Sequence, residues 1–139
     1  MKIYLLIVAV LLLVGASAWG QKRRSFHYGD SVELNGTLKI ENHEEWKAMT
    51  PDLSKEELAK RVNTPAYILL LEQPIAVSPA KGDSDEPEAN VTEVYLMDDS
   101  ETLRQALKGK RLSITGVLGH ANTIHHLRPV MLDVSSVSE

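Results

Sequence analysis

Two segments of the chain share an alternating pattern, and each carries a glycine on its apolar side. Residues 32–38 read V-x-L-x-G-x-L, and residues 112–118 read L-x-I-x-G-x-L. Alternation with a period of two predicts strands with one buried side and one side facing solvent. A glycine on the buried side predicts a bulge or a sharp bend, because it leaves a gap in the layer of side chains. The pattern therefore predicts two bent strands of a curled sheet.

Three further segments are predicted strands because they are apolar or alternate: residues 66–71, 91–97 and 130–134. The first of these can continue past Pro74 as far as residue 77. Residues 41–64 lie between the first two strands and have a helical pattern.

Two stretches carry signals for the start of a helix. Ser54 followed by Glu57 predicts a capping box for a helix that ends near Val62. Asp98 with Glu101 predicts a second, shorter helix that ends at Gly109.

The order of these elements resembles the OB-fold. We predict a mainly β domain with short helices, built as a five-stranded OB-fold-like Greek-key barrel with a helical insertion between strands 1 and 2. A five-stranded α+β roll is the alternative, since the insertion is longer than a simple barrel connection needs. In OB-folds the connections between strands 1 and 2 and between strands 4 and 5 flank the ligand face. Residues 41–64 and 119–128 are therefore predicted to lie on the same side.

The first 18 residues have the features of a secretory signal peptide. Lys2 precedes an unbroken apolar run over residues 3–14, and Ala16-Ser17-Ala18 has a small-x-small cleavage pattern. The run is shorter than the roughly 20 residues that span a bilayer. Export to the periplasm or the extracellular space is predicted, with no membrane attachment after cleavage. The basic residues 22–24 leave an uncleaved anchor as the alternative. The predicted organisation is a signal peptide over residues 1–18, a flexible lead-in over 19–30, a single domain over 31–135 and a polar tail over 136–139.

The composition excludes several classes of function. The chain contains no cysteine, so it has no disulfide, no thiolate metal site and no cysteine nucleophile. Its formal net charge is -4, and 5% of its residues are aromatic. Nucleic-acid binding usually needs a basic surface and aromatic rings that stack on bases. We therefore do not expect a nucleic-acid partner.

The connection over residues 119–128 holds three of the five histidines: His120, His125 and His126. Neutral imidazole binds zinc, copper and nickel, so these three side chains are candidate metal ligands. No cofactor is required by the sequence, and a divalent transition metal is the one candidate. Adjacent histidines on an extended backbone point to opposite sides, so a metal site needs further ligands. Candidates for these are His43, Asp133 and a second chain.

The same connection also offers hydrogen-bond donors for a polar or anionic ligand. The predicted ligand-binding residues are His120, Asn122, Thr123, His125, His126 and Arg128, together with Trp46 of the insertion. They favour an exported binding or accessory module for a small molecule or a protein. The sequence has no evident nucleophile and base pair, so a histidine-dependent enzyme is less favoured. Histidines that only maintain the shape of the loop are a further alternative.

Residues 109–130 resemble a bacterial family of exported proteins of unknown function. The family has a Gly-Lys-x-Val-x-Val-x-Gly-x-Leu strand followed by Ala-x-Thr-Gly-His-His-His-Thr-Pro-Val. The matching residues are Gly109, Lys110, Leu112, Ile114, Gly116, Leu118, Ala121, Thr123, His125, His126, Pro129 and Val130. A fainter likeness covers residues 67–75. Ile124, Leu127 and Arg128 stand where the family has glycine, the third histidine and threonine. The resemblance implies export and a histidine-bearing terminal hairpin, and it implies no reaction.

Overall fold

The computed structural model describes residues 23–44, 46–98, 102–122 and 127–139. This part of the chain contains one six-stranded sheet and two short helices. The elements are β1 (Arg24–His27), β2 (Ser31–Asn42), α1 (Trp46–Met49), α2 (Lys55–Val62), β3 (Pro65–Ser78), β4 (Glu88–Met97), a 3-10 turn (Gln105–Leu107), β5 (Arg111–His120) and β6 (Val130–Ser138). No helix within these ranges is long and apolar enough to cross a membrane.

The five long strands pair in a cycle. β2 pairs antiparallel with both β3 and β5, and β3 pairs antiparallel with β4. β6 completes the cycle, because it pairs antiparallel with β5 and parallel with β4. The predicted mainly β fold, with a helical insertion between the first two long strands, is therefore confirmed. The order of pairing is compatible with an OB-fold-like barrel.

Gly36 and Gly116 allow neighbouring strands to approach closely. A Cβ atom at Gly36 would lie 2.3 Å from the carbonyl oxygen of Leu70 on β3. A Cβ atom at Gly116 would lie 2.3 Å from the carbonyl oxygen of Asp133 on β6, beside a register shift between β5 and β6. Both distances are far below van der Waals contact, so these positions need glycine for space.

The hydrophobic core lies on the inner side of this cycle of strands. β2 alternates between buried and more exposed residues as predicted, and Leu34 and Leu38 are both 1% exposed. Leu69, Ile114 and Leu132 contribute fully buried side chains from the other strands. Burial of a leucine or isoleucine side chain contributes about 1.5–3 kcal/mol, so this layer is the main source of stability.

The connection between β4 and β5 differs from the predicted helix. Within the described residues 102–109, only Gln105–Leu107 is helical, and it is a 3-10 turn. Glu101 of the predicted capping box lies outside the described residues. The Asp98 carboxylate accepts hydrogen bonds from the Leu103 amide and the Thr102 hydroxyl. Leu103 and Leu107 both belong to the hydrophobic core.

The structure extends the predicted domain at both ends. Arg24–His27, which falls in the predicted flexible lead-in, forms β1 and pairs in parallel with residues 75–78 of β3. Phe26 packs against the core, which explains why this short segment is held. At the other end, β6 continues to Ser138 through the predicted tail, because Ser136 and Ser138 pair with β5.

Within the helical insertion, α2 begins with the predicted capping box. The Ser54 hydroxyl accepts a hydrogen bond from the Glu57 amide at 3.2 Å, and the Ser54 amide donates to the Glu57 carboxylate at 3.4 Å. A hydrogen bond from the His43 amide to the carbonyl of Val62, at 3.2 Å, joins the first residues of the insertion to the end of α2. Val62 is 4% exposed, so the end of α2 is packed against the rest of the protein.

Candidate functional site

The outer face of β3 and β4 is the surface of these strands that points away from the core. Leu69 and Val94 point into the core, so their neighbours Ile68, Glu93 and Tyr95 point outward. Ile68 is nevertheless fully buried. The chain itself therefore covers part of this outer face.

Arg128 forms ion pairs with two glutamates that lie on different strands. Its Nε atom donates to Glu93 of β4 at 2.5 Å, and its Nη2 atom donates to Glu41 of β2 at 2.8 Å. Its Nη1 atom donates to the Leu127 carbonyl at 2.8 Å. Lys39 also pairs with Glu41, at 2.7 Å. The guanidinium thus links β4 to β2 past β3, which lies between them in the sheet.

The charges in this cluster stabilise one another. Burial alone would raise the pKa of Glu41, but hydrogen bonds from Lys39 and Arg128 outweigh it and lower that pKa. Burial alone would lower the pKa of Arg128, but its hydrogen bonds to Glu41 and Glu93 outweigh it and raise that pKa. The side chains of Arg128, Glu41 and Glu93 are 21%, 24% and 32% exposed, so these ion pairs are less screened than pairs on an open surface.

An aromatic cluster lies beside these ion pairs. Trp46 begins α1, and its ring stacks on His43 with 4.5 Å between ring centroids. His43 Nδ1 lies 3.0 Å from the carbonyl oxygen of Thr64, which can only accept, so Nδ1 carries a hydrogen. In the neutral ring, Nε2 then accepts from the Tyr95 hydroxyl at 3.4 Å. Arg61 lies over the Trp46 ring at 5.9 Å. His43 is therefore engaged in the fold rather than available as a metal ligand.

One ion pair links the connection after β5 to the end of β2. Arg128 belongs to the connection predicted over residues 119–128, whereas Glu41, the first residue of the predicted insertion, lies in β2. A ligand face shared by residues 41–64 and 119–128 stays a prediction. Tyr95 and Glu93, two residues apart on β4, contact His43 and Arg128 respectively, so the aromatic cluster and the ion pairs share one face. We call this surface the bridged face; it consists of Glu41, Glu93 and Arg128 together with His43, Trp46 and Tyr95.

His120 lies at the end of β5 in a separate cluster. Its Nδ1 atom is 3.9 Å from Asp85, and its Nε2 atom is 4.0 Å from Glu88. The ring meets Tyr28 edge-on, with 5.3 Å between ring centroids. Burial, followed by the charges of Glu88 and Asp85, raises the pKa of Tyr28 to about 12. The Tyr28 hydroxyl also donates to the carbonyl of Glu86 at 3.0 Å. The acidic connection between β3 and β4 is thus folded against His120 and Tyr28.

The predicted site residues do not converge on one place within the described residues. His120 and Arg128 contact different carboxylates, and Asn122 is exposed just after β5. Trp46 lies on the bridged face with Arg128. Thr123, His125 and His126 lie outside the described residues. In the part of the chain that the structure covers, no group of three or more histidine, aspartate or glutamate side chains is placed to hold a metal ion.

Five contributing residues were not predicted from the sequence. They are Glu41, Glu93 and Tyr95 on the bridged face, and Asp85 and Glu88 beside His120. The sequence predicted a strand that contains Glu93 and Tyr95, but it predicted Glu41 at the start of the helical insertion, whereas Glu41 lies in β2. A local pattern carries no information on which residue from a distant connection contacts these three side chains.

Comparison with known proteins gives one match. Residues 92–138 match a family model described as a domain of unknown function, DUF4431. The match covers about a third of the chain, from β4 to β6, and includes Glu93, His120 and Arg128. It supports the predicted resemblance to a family of unknown function. No curated protein and no solved structure matches the chain significantly.

Proposed function

We propose that this protein is a binding or accessory module and that its ligand contacts the bridged face. One observation carries the proposal: Arg128 joins the connection after β5 to Glu41, at the end of β2, where the helical insertion begins. In an OB-fold-like domain these two connections flank the face that binds ligands. The face combines partly exposed charges with Trp46 and Tyr95, the mixture of aromatic and charged side chains typical of recognition sites.

Binding can be tested without knowing the ligand. The chain from residue 19 onward would be labelled with 15N and screened by NMR against short peptides, oligosaccharides and small carboxylates. We expect binders to shift the NMR resonances of the Trp46 indole, the Tyr95 amide and the Arg128 Nε–H. The same binders should have lower affinity for Trp46→Ala. The control variant is Thr115→Ala, on β5, where Thr115 pairs with Glu33 and Ser136 rather than with β3 or β4. Binders that shift only resonances of β5 and β6 would contradict the proposal. A turnover activity that Trp46→Ala abolishes would also contradict it.

We also propose that residues 1–18 direct export, on the basis of the apolar run and the small-x-small pattern. Mass spectrometry of the protein from its own host tests this. We expect a mature chain that begins at Trp19 and is recovered outside the cytoplasm. A chain that keeps its first 18 residues and stays with the membrane would support the uncleaved anchor instead.

A metal-binding protein is the second candidate function. It rests on the position of His120, whose Nδ1 and Nε2 atoms lie 3.9 Å and 4.0 Å from the carboxylates of Asp85 and Glu88, because imidazole and carboxylate groups are both zinc ligands. The untagged protein would be exposed to zinc and copper, and its bound metal measured. His120→Ala should lose any metal, and His27→Ala, an exposed histidine on β1, should keep it. Less than about 0.1 equivalent in the parent protein would rule out this function.

A further inference from the structure

We propose that a small cleft between β1, β2 and β3 binds the free C-terminal end of an extended peptide. The cleft has a volume of about 170 Å³, and its walls include Arg24, Asn35, Glu72 and Gln73. It is separate from the bridged face, because Asn35 and Glu41 stand six residues apart on β2, which is roughly 20 Å along a strand.

The cleft lies where β2 separates from β3. The pairing of these two strands ends one pair before Asn35 and Glu72, which would be the next pair in register. β1 pairs with β3 only from Ile75 onward, and β4 shifts its register with β3 over the same stretch. Within the described residues, positions 72–74 therefore have no paired residue on any neighbouring strand. A short length of β3 has an open edge toward the cleft.

The backbone groups of Asn35 face this opening. Along a central strand, successive residues direct their N–H and C=O groups to the two neighbouring strands in turn. The groups of Leu38 face the β5 side, because its amide donates to Lys110 and its carbonyl accepts from Gly109. Three residues earlier, the groups of Asn35 point to the other side, toward β3. An extended peptide can pair with them there, as a strand is added to the edge of a sheet.

The cleft carries a positive charge that the described residues do not neutralise. Glu72 forms an ion pair with Arg111, so its carboxylate is compensated. Arg24 forms no ion pair with any described residue; its guanidinium lies over the Phe26 ring and is 3.5 Å from the Glu33 carbonyl oxygen. The donors of a guanidinium form a fork that matches a carboxylate. The cleft therefore favours a carboxylate, the group that ends a peptide.

The floor of the cleft is apolar. Leu34 and Ile75 are core side chains that are 1% and 2% exposed, and Leu71 packs against the same core. The amides of Asn35 and Gln73 add hydrogen-bond donors and acceptors. Pockets that enclose whole ligands measure roughly 300–1,000 Å³, so this smaller cleft suits one end of a chain. The occupant that fits is a peptide with an apolar last residue and a free carboxylate.

The test is an NMR titration of the 15N-labelled chain from residue 19 onward with acetyl-valyl-leucine, which ends in a free carboxylate. We expect shifts of the Asn35, Glu72 and Gln73 amides and a dissociation constant of about 1 mM. The same peptide with a C-terminal amide should bind about tenfold more weakly, because it offers Arg24 no carboxylate. Arg24→Gln should weaken binding of the free acid by a similar factor. Arg104→Gln, the same change at an exposed arginine outside the cleft, should leave it unchanged.

A second variant tests the cleft without a change of charge. Asn35→Tyr places a larger side chain in the wall and should weaken binding of the free acid about tenfold. Unchanged affinity in Asn35→Tyr would overturn the proposal, as would the absence of shifts at the cleft amides with about 10 mM peptide. Equal affinity for the acid and the amide, or in Arg24→Gln and Arg104→Gln, would also overturn it. Binding that requires removal of residues 19–22 would show that the chain itself occupies the cleft and would overturn the proposal too.

Discussion

The Nη2 atom of Arg128 lies 2.8 Å from the carboxylate of Glu41, which is 87 residues earlier in the chain. This contact joins a connection that follows β5 to the end of β2. The same guanidinium donates to Glu93, so three separate parts of the chain meet at one side chain. Contacts between distant segments that are partly shielded from water contribute more to stability than pairs on an open surface.

Loss of Arg128 should destabilise the protein. Arg128→Ala removes hydrogen bonds to two carboxylates and leaves them partly buried, so we expect a loss of about 1–3 kcal/mol in the free energy of unfolding. Urea unfolding followed by circular dichroism measures this. Arg111→Ala should cost clearly less, because its ion pair with Glu72 is on the exposed surface. Equal losses in the two variants would show that Arg128 acts as an ordinary surface residue.

The Glu41 carboxylate should make stability depend on pH in acid. Its pKa in the folded state is lowered from an ordinary value of 4.5. The stabilisation is therefore fully present above pH 4.5 and is lost as the pH falls through the lowered pKa. We expect Glu41→Gln to be less stable than the parent protein at pH 7 and the difference to shrink at low pH. A difference that stays constant from pH 7 to pH 3 would contradict this, and Glu72→Gln serves as the control.

The two strand glycines should not tolerate even a methyl group. Alanine at position 36 or 116 would place a Cβ 2.3 Å from a backbone oxygen, so a neighbouring strand would have to move. We expect each variant to lose about 1–3 kcal/mol or to fail to fold. Gly119→Ala is the matched control, because its Cβ would meet nothing closer than the Met131 side chain at 3.6 Å. If thermal unfolding shows that Gly119→Ala is destabilised as much as the alanine variants at positions 36 and 116, the requirement for space is contradicted.

Tyr28 should ionise only in strong alkali. Burial and the charges of Glu88 and Asp85 raise its pKa to about 12, against an ordinary value of 10.0. Its contribution to stability is therefore present below pH 10 and is lost as the pH rises toward 12. Ultraviolet titration of tyrosinate should show a component near pH 12 that disappears in Tyr28→Phe and persists in Tyr67→Phe. A titration near pH 12 that is unchanged in Tyr28→Phe would contradict the assignment.

Local patterns in the sequence predicted much of the fold. The alternation in residues 32–38 and 112–118 identified β2 and β5. The shared glycines predicted a bulge or a bend, and a register shift does lie beside Gly116. The close approach of a neighbouring strand at both glycines was not predicted. The capping box at Ser54 identified the start of α2. Each of these signals depends on residues a few positions apart, and so it can be read from a single sequence.

Other features depend on contacts between distant residues and left no local signal. β1 has no clear alternation, and it is held by pairing with residues about 50 positions later. The segment after Asp98 has helical spacing, yet within residues 102–109 only a 3-10 turn forms. The strand order predicts that residues 41–64 and 119–128 lie on the same side of the domain. It could not indicate that Arg128 would reach Glu41 and Glu93.

Hydrogen exchange tests most directly whether Arg128 joins the two connections into one surface. Amide exchange would be measured in the parent protein, Arg128→Ala and Arg111→Ala. We predict that Arg128→Ala speeds amide exchange at Ala121, whose amide donates to the carbonyl of Pro129, and also at His43 and Asn63. Exchange in β1 should not change in Arg128→Ala. In Arg111→Ala, exchange at all of these amides should match that of the parent protein. Faster exchange confined to residues 121–129, with His43 and Asn63 unaffected, would contradict the bridged face.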